Sequence, residues 1–206
     1  MNDKPAGPPV RVVPYDETWP RWGAAELATL TAALGDLVLH AAHIGSTSIP
    51  QMTAKNILDL QLSVWDLAEA AAAFEAPLAE LGYVRRPYER DHVPAGNDSD
   101  PGLWVKRYWN RRNHPAGDVN LHVRVVGSPN ERLALLFRDY LRAHPLAVAG
   151  YSRFKQLLAA EVGDLERYTD IKDPVVDVVV SAAGDWASAV GWQPHGGASA
   201  SQTTTP

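Results

Sequence analysis

The 206-residue chain contains no cysteine. That absence excludes disulfides, thiolate zinc sites and a cysteine nucleophile, so any metal must be held by oxygen or imidazole. No apolar stretch approaches the roughly 20 residues needed to cross a bilayer, and the opening segment lacks the basic-then-apolar order of a secretory signal. The expectation is a cytoplasmic protein with no membrane partner. Positive charge is also short: 19 Lys and Arg face 24 Asp and Glu, a net charge of −5. A protein that tracks extended nucleic acid usually needs a broad basic face, so that partner is not expected, whereas a small anionic substrate is. No repeat of fixed period is present, which removes solenoids and propellers.

What the chain does have is 46% hydrophobic and 21% charged residues, the composition of a globular protein long enough for one well-packed core. Residues 1–9 and 194–206 are polar, turn-forming and aperiodic and are expected to be disordered tails. Residues 10–193 are expected to form a single α/β (α+β) domain, a mixed sheet with flanking helices and a helical final third over 128–193.

Thr18 is placed to cap a first helix carrying Leu27, Leu30 and Leu34, which Gly35 ends. Residues 37–44 read as a strand running into the turn Gly45-Ser46-Thr47-Ser48. Residues 57–64 read as a second strand, in which Leu58, Leu60, Leu62 and Val64 alternate with Asp59, Gln61 and Ser63. Asp66 with Glu69 opens a helix whose apolar stripe ends at Gly82 and which Pro77 should bend or shorten. Shorter strands are expected near 83–84, 103–108 and 119–125. Ser128, Pro129 and Glu131 mark the start of the helical third, with Leu133, Leu136, Phe137, Tyr140 and Leu141 on one stripe and Tyr151, Phe154, Leu157 and Leu158 on the next.

The segment from His43 to Lys55, followed by Asp59, carries the chemistry. A strand that ends in Gly45-Ser46 lets a phosphate approach the backbone, with hydroxyls and N–H groups of Ser46, Thr47 and Ser48 as donors. The same residues also suit an ordinary capped turn. Asp59, on the polar side of its strand, suits a Mg²⁺ ion held jointly with substrate phosphates, or an ion pair with Lys55 or Arg124. Lys55 lies between turn and carboxylate, where it would neutralise phosphate. Residues 85–112 hold seven basic side chains against four acidic ones, a basic wall in which Lys106 and Arg107 stand foremost. His122 suits a ligand, a general base or a structural imidazole, and His43 a brace for the turn.

Taken together, the runs Val13-Pro-Tyr-Asp-Glu-Thr-Trp-Pro20, His43-Ile-Gly-Ser-Thr-Ser-Ile-Pro50, Ile57-Leu-Asp59, Leu121-His-Val123 and Tyr168-Thr-Asp-Ile-Lys172 resemble the GrpB-like proteins. The resemblance covers about residues 12–192. It implies a nucleotidyltransferase-like fold of the DNA polymerase beta type, in which a Gly-Ser turn holds a triphosphate and carboxylates on neighbouring strands bind two metals. Carried over, it assigns Gly45 and Ser46 to the phosphate turn and Asp59 to the first metal; Thr47, Ser48, Lys55, Lys106 and Arg107, read from hydroxyls, position and charge, join Gly45 and Ser46 as the nucleotide-binding candidates. Asp59, Ser46 and His122 become the catalytic candidates, and Asp59, Gln61 and His122 the metal ligands. Gln61 stands where a second carboxylate belongs, and Asn120 and His122 are all that the third position offers. The resemblance therefore implies a protein that binds a nucleoside triphosphate with Mg²⁺ and transfers a nucleotidyl group to a small acceptor. Gln61 and the missing third carboxylate favour the alternative, a weak or inactive module that binds a nucleotide or coenzyme A precursor as an accessory to a metabolic enzyme; some actinobacterial members of the family it resembles are fused to dephospho-CoA kinase.

Overall fold

Alternation in the second strand organises the molecule. The computed structural model describes residues 10–115 and 117–196, so the expected tails at 1–9 and 197–206 lie outside the described residues. In chain order the elements are α1 (Trp19–Leu34), β1 (His40–Ile44), β2 (Leu58–Val64), α2 (Leu67–Glu80), β3 (Val84–Arg86), β4 (Arg107–Arg111) and β5 (Val119–Val125). Then follow α3 (Pro129–Ala143), α4 (Pro145–Glu161) and α5 (Leu165–Val190). The five strands form one mixed sheet in the order β1-β2-β5-β4-β3, with β2 and β5 parallel and every other pair antiparallel.

Successive strand residues point to opposite faces. Leu58, Leu60, Leu62 and Val64 of β2 therefore join Val119, Leu121 and Val123 of β5 on one face, packed under α1 and α2 through residues such as Leu30, Phe74 and Leu78. The other face holds Asp59, Gln61 and Ser63 beside Asn120, His122 and Arg124. Helices, not water, cover much of it: Gln61 and Ser63 are each 1% exposed. Gln61 and Ser63 bond to Glu131 of α3. A second cluster of Ile49, Met52, Phe137, Leu141, Val148 and Tyr151 ties the segment after β1 to α3 and α4. The polar stripe of the sheet is thus roofed by the helical third.

Local signals were realised unevenly. Asp66 caps α2 by accepting from the N–H groups of Ala68 and Glu69. Thr18 occupies the N-cap of α1, but its hydroxyl donates to Asp16 and does not cap. The first strand begins at His40, because Gly35–Leu37 tighten into a 3-10 turn. The strand expected at 103–108 is displaced: Asp100 caps a 3-10 turn over Pro101–Trp104 by accepting from Gly102 N–H, and pairing begins at Arg107. α2 runs through Pro77 to Glu80 without being shortened, and α5 is one helix through Pro174. Residues Pro194–Gly196, expected in the tail, form a 3-10 turn in which His195 stacks on His40 and bonds Glu131 at 2.8 Å.

Candidate phosphate site

β1 ends at Ile44, whose Cα partner on β2 is Asp59. The chain must then turn over that carboxylate, and Gly45 does so at φ 65°. A Cβ there would lie 2.5 Å from Asp59 Oδ2, so only glycine allows both the backbone conformation and the approach. Ser46–Ser48 follow as a single 3-10 turn. Ser48 is buried and donates its hydroxyl to the Gly45 carbonyl at 2.7 Å, closing the turn. Thr47 is buried as well, its hydroxyl 2.9 Å from His43 Nε2. Burial pushes His43 down to about 4, so the ring braces the turn as a neutral group. Ser46 alone of the three hydroxyls lines the adjoining pocket, a cleft of about 450 Å³.

The parallel register places Asp59 beside Asn120 and Gln61 beside His122, on one sheet face. Asn120 Nδ2 donates to Asp59 Oδ1 at 2.6 Å, and its own oxygen accepts from Tyr108 and Arg112. His122 Nε2 lies 3.9 Å from Asp59 Oδ1. On its far side Lys106 Nζ lies 3.3 Å from His122 Nδ1. An ammonium only donates, so Nδ1 accepts and the ring proton sits on Nε2, toward Asp59. Burial, with Lys106 and Arg124 nearby, pushes His122 down to about 4, which keeps it neutral. Burial works to raise the Asp59 carboxyl, but His122, Asn120 and Lys55 outweigh it and hold the group at about 2. Asp59 is therefore a carboxylate at any neutral pH.

The structure brings Gly45, Ser46, Lys55, Asp59, Lys106 and His122 to one pocket. It leaves Thr47, Ser48, Gln61 and Arg107 outside the lining. Gln61 Oε1 accepts from Arg124, which satisfies the oxygen that was expected to bind metal. Lys106 is 7% exposed and paired to Asp91 at 2.6 Å. Arg107 donates to the Lys106 carbonyl and stands 3.9 Å from Glu89. The basic wall dissolves into internal pairs: Arg111 forms a fully buried bidentate bridge to Glu26, and Arg112 serves Asn120.

Two residues that sequence reasoning passed over complete the site. Lys155 of α4 is 3% exposed and lines the pocket, donating to Ser46 Oγ at 2.9 Å and to the Thr53 carbonyl, with its ammonium 4.9 Å from the Tyr151 ring centre. No carboxylate lies within ion-pair distance of it among the described residues. Burial, reinforced by Lys172, pushes it down to about 7. Asp91 is the other. It receives Lys106, Arg124 and Asn130 together, and although burial opposes its charge, the two cations hold its carboxyl well below the usual range.

The chain matches known proteins along most of its length. The GrpB protein family model covers residues 9–182. A dephospho-CoA kinase from Mycolicibacterium paratuberculosis is 36% identical over 200 residues, which is 90% of this chain and 49% of that protein. The chain thus spans about half the length of the first curated relatives it matches. The UPF0157 protein BH1888 from Halalkalibacterium halodurans is 31% identical over 181 residues, covering 87% and 85% of the two chains. The crystal structure of conserved protein GrpB from Enterococcus faecalis superposes with a TM-score of 0.69 at 25% identity, over 85% of this chain and 99% of that one. With its family pattern, relatives and sheet topology in agreement, the chain belongs to the GrpB family.

Proposed function

We propose that this chain binds a phosphate-bearing small molecule, a nucleotide or a coenzyme A precursor, at Gly45 and Ser46 between Lys55 and Lys155. The observation that supports the reading is Lys155. A buried ammonium bonded to a hydroxyl and a carbonyl, with no carboxylate in direct contact among the described residues, is open to a further anion, and it lines a cleft. A phosphate entering that cleft supplies a direct counter-charge. The apolar side chains Leu133, Phe137 and Val176, which line the same cleft, suit the organic part of the ligand.

The expected Mg²⁺ does not fit the two-metal pattern. Asp59 is the one carboxylate at the turn, the Gln61 and Asn120 oxygens are already bonded, and no three His, Asp or Glu side chains cluster as a cation cage among the described residues. Nucleotidyl transfer through paired metals therefore lacks its ligands, which favours the accessory-module reading over the transferase. The name of the mycobacterial relatives supports coenzyme A precursors as ligands to try first.

Calorimetric titration with ATP and with dephospho-CoA tests this. Saturable binding of at least one is expected, weakened about tenfold or more in Lys155→Met. Absence of binding by both, and by inorganic pyrophosphate, at millimolar concentration would refute the proposal.

A further inference from the structure

Asp59 occupies the position of a metal anchor, yet its surroundings are those of a counter-ion. Its Oδ1 already accepts from Asn120 and faces the Nε2 proton of His122, and its Oδ2 lies against the Gly45 backbone. Lys55, Lys106 and Lys155 line the same pocket as Asp59, and its charge favours their protonated forms against the burial that pushes all three below the ordinary lysine value. Lys106 has Asp91 as a direct partner at 2.6 Å. Among the described residues Lys55 and Lys155 have no such bridge, and Asp59, in the same pocket, is the anion that balances them. A divalent cation approaching this carboxylate would meet like charge on several sides, while Asp91 and Asp173 of the same pocket are already paired to Lys106 and Lys172.

We propose that Asp59 is a placeholder anion: in the empty pocket it balances Lys55 and Lys155, and a ligand phosphate takes over that task directly, with no divalent metal between ligand and protein. The inference rests on the phosphate-site reading and specifies how that site works. It reverses the sign of one mutation. If Asp59 anchored a metal, neutralising it would abolish binding. If it competes with the ligand for the lysines, neutralising it strengthens binding. Asn retains the shape of Asp, and its oxygen still accepts from Asn120, so Asp59→Asn keeps the local packing.

The experiment is calorimetric titration of the intact chain with inorganic pyrophosphate and with ATP, once in EDTA and once in excess Mg²⁺. Binding in EDTA is expected to equal or exceed that in Mg²⁺, because the metal masks ligand charge. Asp59→Asn is expected to tighten metal-free binding by roughly three- to tenfold. Mn²⁺ titrated alone and followed by electron paramagnetic resonance is expected to remain free at millimolar metal. Binding that requires Mg²⁺, loss of binding in Asp59→Asn with an unchanged circular dichroism spectrum, or Mn²⁺ capture by the unliganded protein would each overturn the placeholder while leaving the phosphate site standing. Failure of wild type to bind either probe under any condition would remove both.

Discussion

Replacing Lys155 by Met separates what the residue does for the ligand from what it does to the fold. The ammonium is 3% exposed, and burial, with Lys172 beside it, moves its titration from 10.5 to about 7. At about 1.4 kcal/mol per tenfold step, holding that group in the folded state at pH 7 costs about 4 kcal/mol. Against this stand the bonds to Ser46 Oγ and the Thr53 carbonyl, and the latter would lose its lysine donor; together these are worth about 2–3 kcal/mol. Met fills similar volume beside Met52 and Tyr151, so the variant is expected to be more stable by about 1–2 kcal/mol, a rise of roughly 2–8 °C in Tm for a chain of this size. The pH dependence carries the sharper signature. Between pH 7 and 10.5 the unfolded chain keeps a proton that folded Lys155 has released, so wild-type stability climbs with pH through that window. Below 7 both states hold the proton and the penalty is constant. The advantage of Lys155→Met should therefore be greatest near or below pH 7 and shrink toward pH 10, read by urea denaturation across that range. A variant less stable than wild type at pH 7, or a gap that does not change with pH, would refute the reasoning.

Three other outcomes follow from the geometry. Gly45→Ala puts a Cβ at φ 65° and 2.5 Å from Asp59 Oδ2, and should destabilise by about 1–3 kcal/mol with an unchanged denaturant slope; a neutral result would mean the turn relaxes freely. Arg111→Met leaves the buried Glu26 carboxylate with the Tyr83 hydroxyl alone and should cost about 3–5 kcal/mol, with much of the loss recovered when Glu26→Leu is added. Gln61→Asp should pair with Arg124 and leave Mn²⁺ affinity unchanged, whereas a gain in metal binding would show that a second ligand position is open after all.

The fold was legible where side-chain parity is enforced by burial. β5 covers residues 119–125 as expected and β2 departs by one residue, because each must send alternate apolar side chains into the α1–α2 face. Asp59 and His122 share one face of the adjacent strands β2 and β5; alternation gives each its face, and the pairing of the two strands follows from the family resemblance. Expectation failed where a short-range cap competes with strand propensity, as Asp100 does at 101–104. The alternation marks Asp59, Gln61 and Ser63 as the polar side of β2, but nothing local announces that α3 will lie over Gln61 and Ser63. Lys155 was hidden by distance, 109 residues from Ser46. A signal existed nonetheless: Tyr151, Lys155 and Leu158 share one helical stripe, and a lysine in a core position of an amphipathic helix requires an interior partner or a ligand.

The substitutions that depart from a two-metal site are coupled to one another. A carboxylate at position 61 would face Arg124, which bonds Gln61 and Asp91 at once, and Asp91 in turn fixes Lys106 against His122. With Gln61 neutral, Arg124 and Lys106 share the Asp91 carboxylate, and the Lys106 charge also favours the ionised Asp59. Evolution toward metal catalysis at this turn would thus require changing Gln61, Arg124 and Lys106 together, because a new carboxylate alone would be neutralised by the guanidinium already in place.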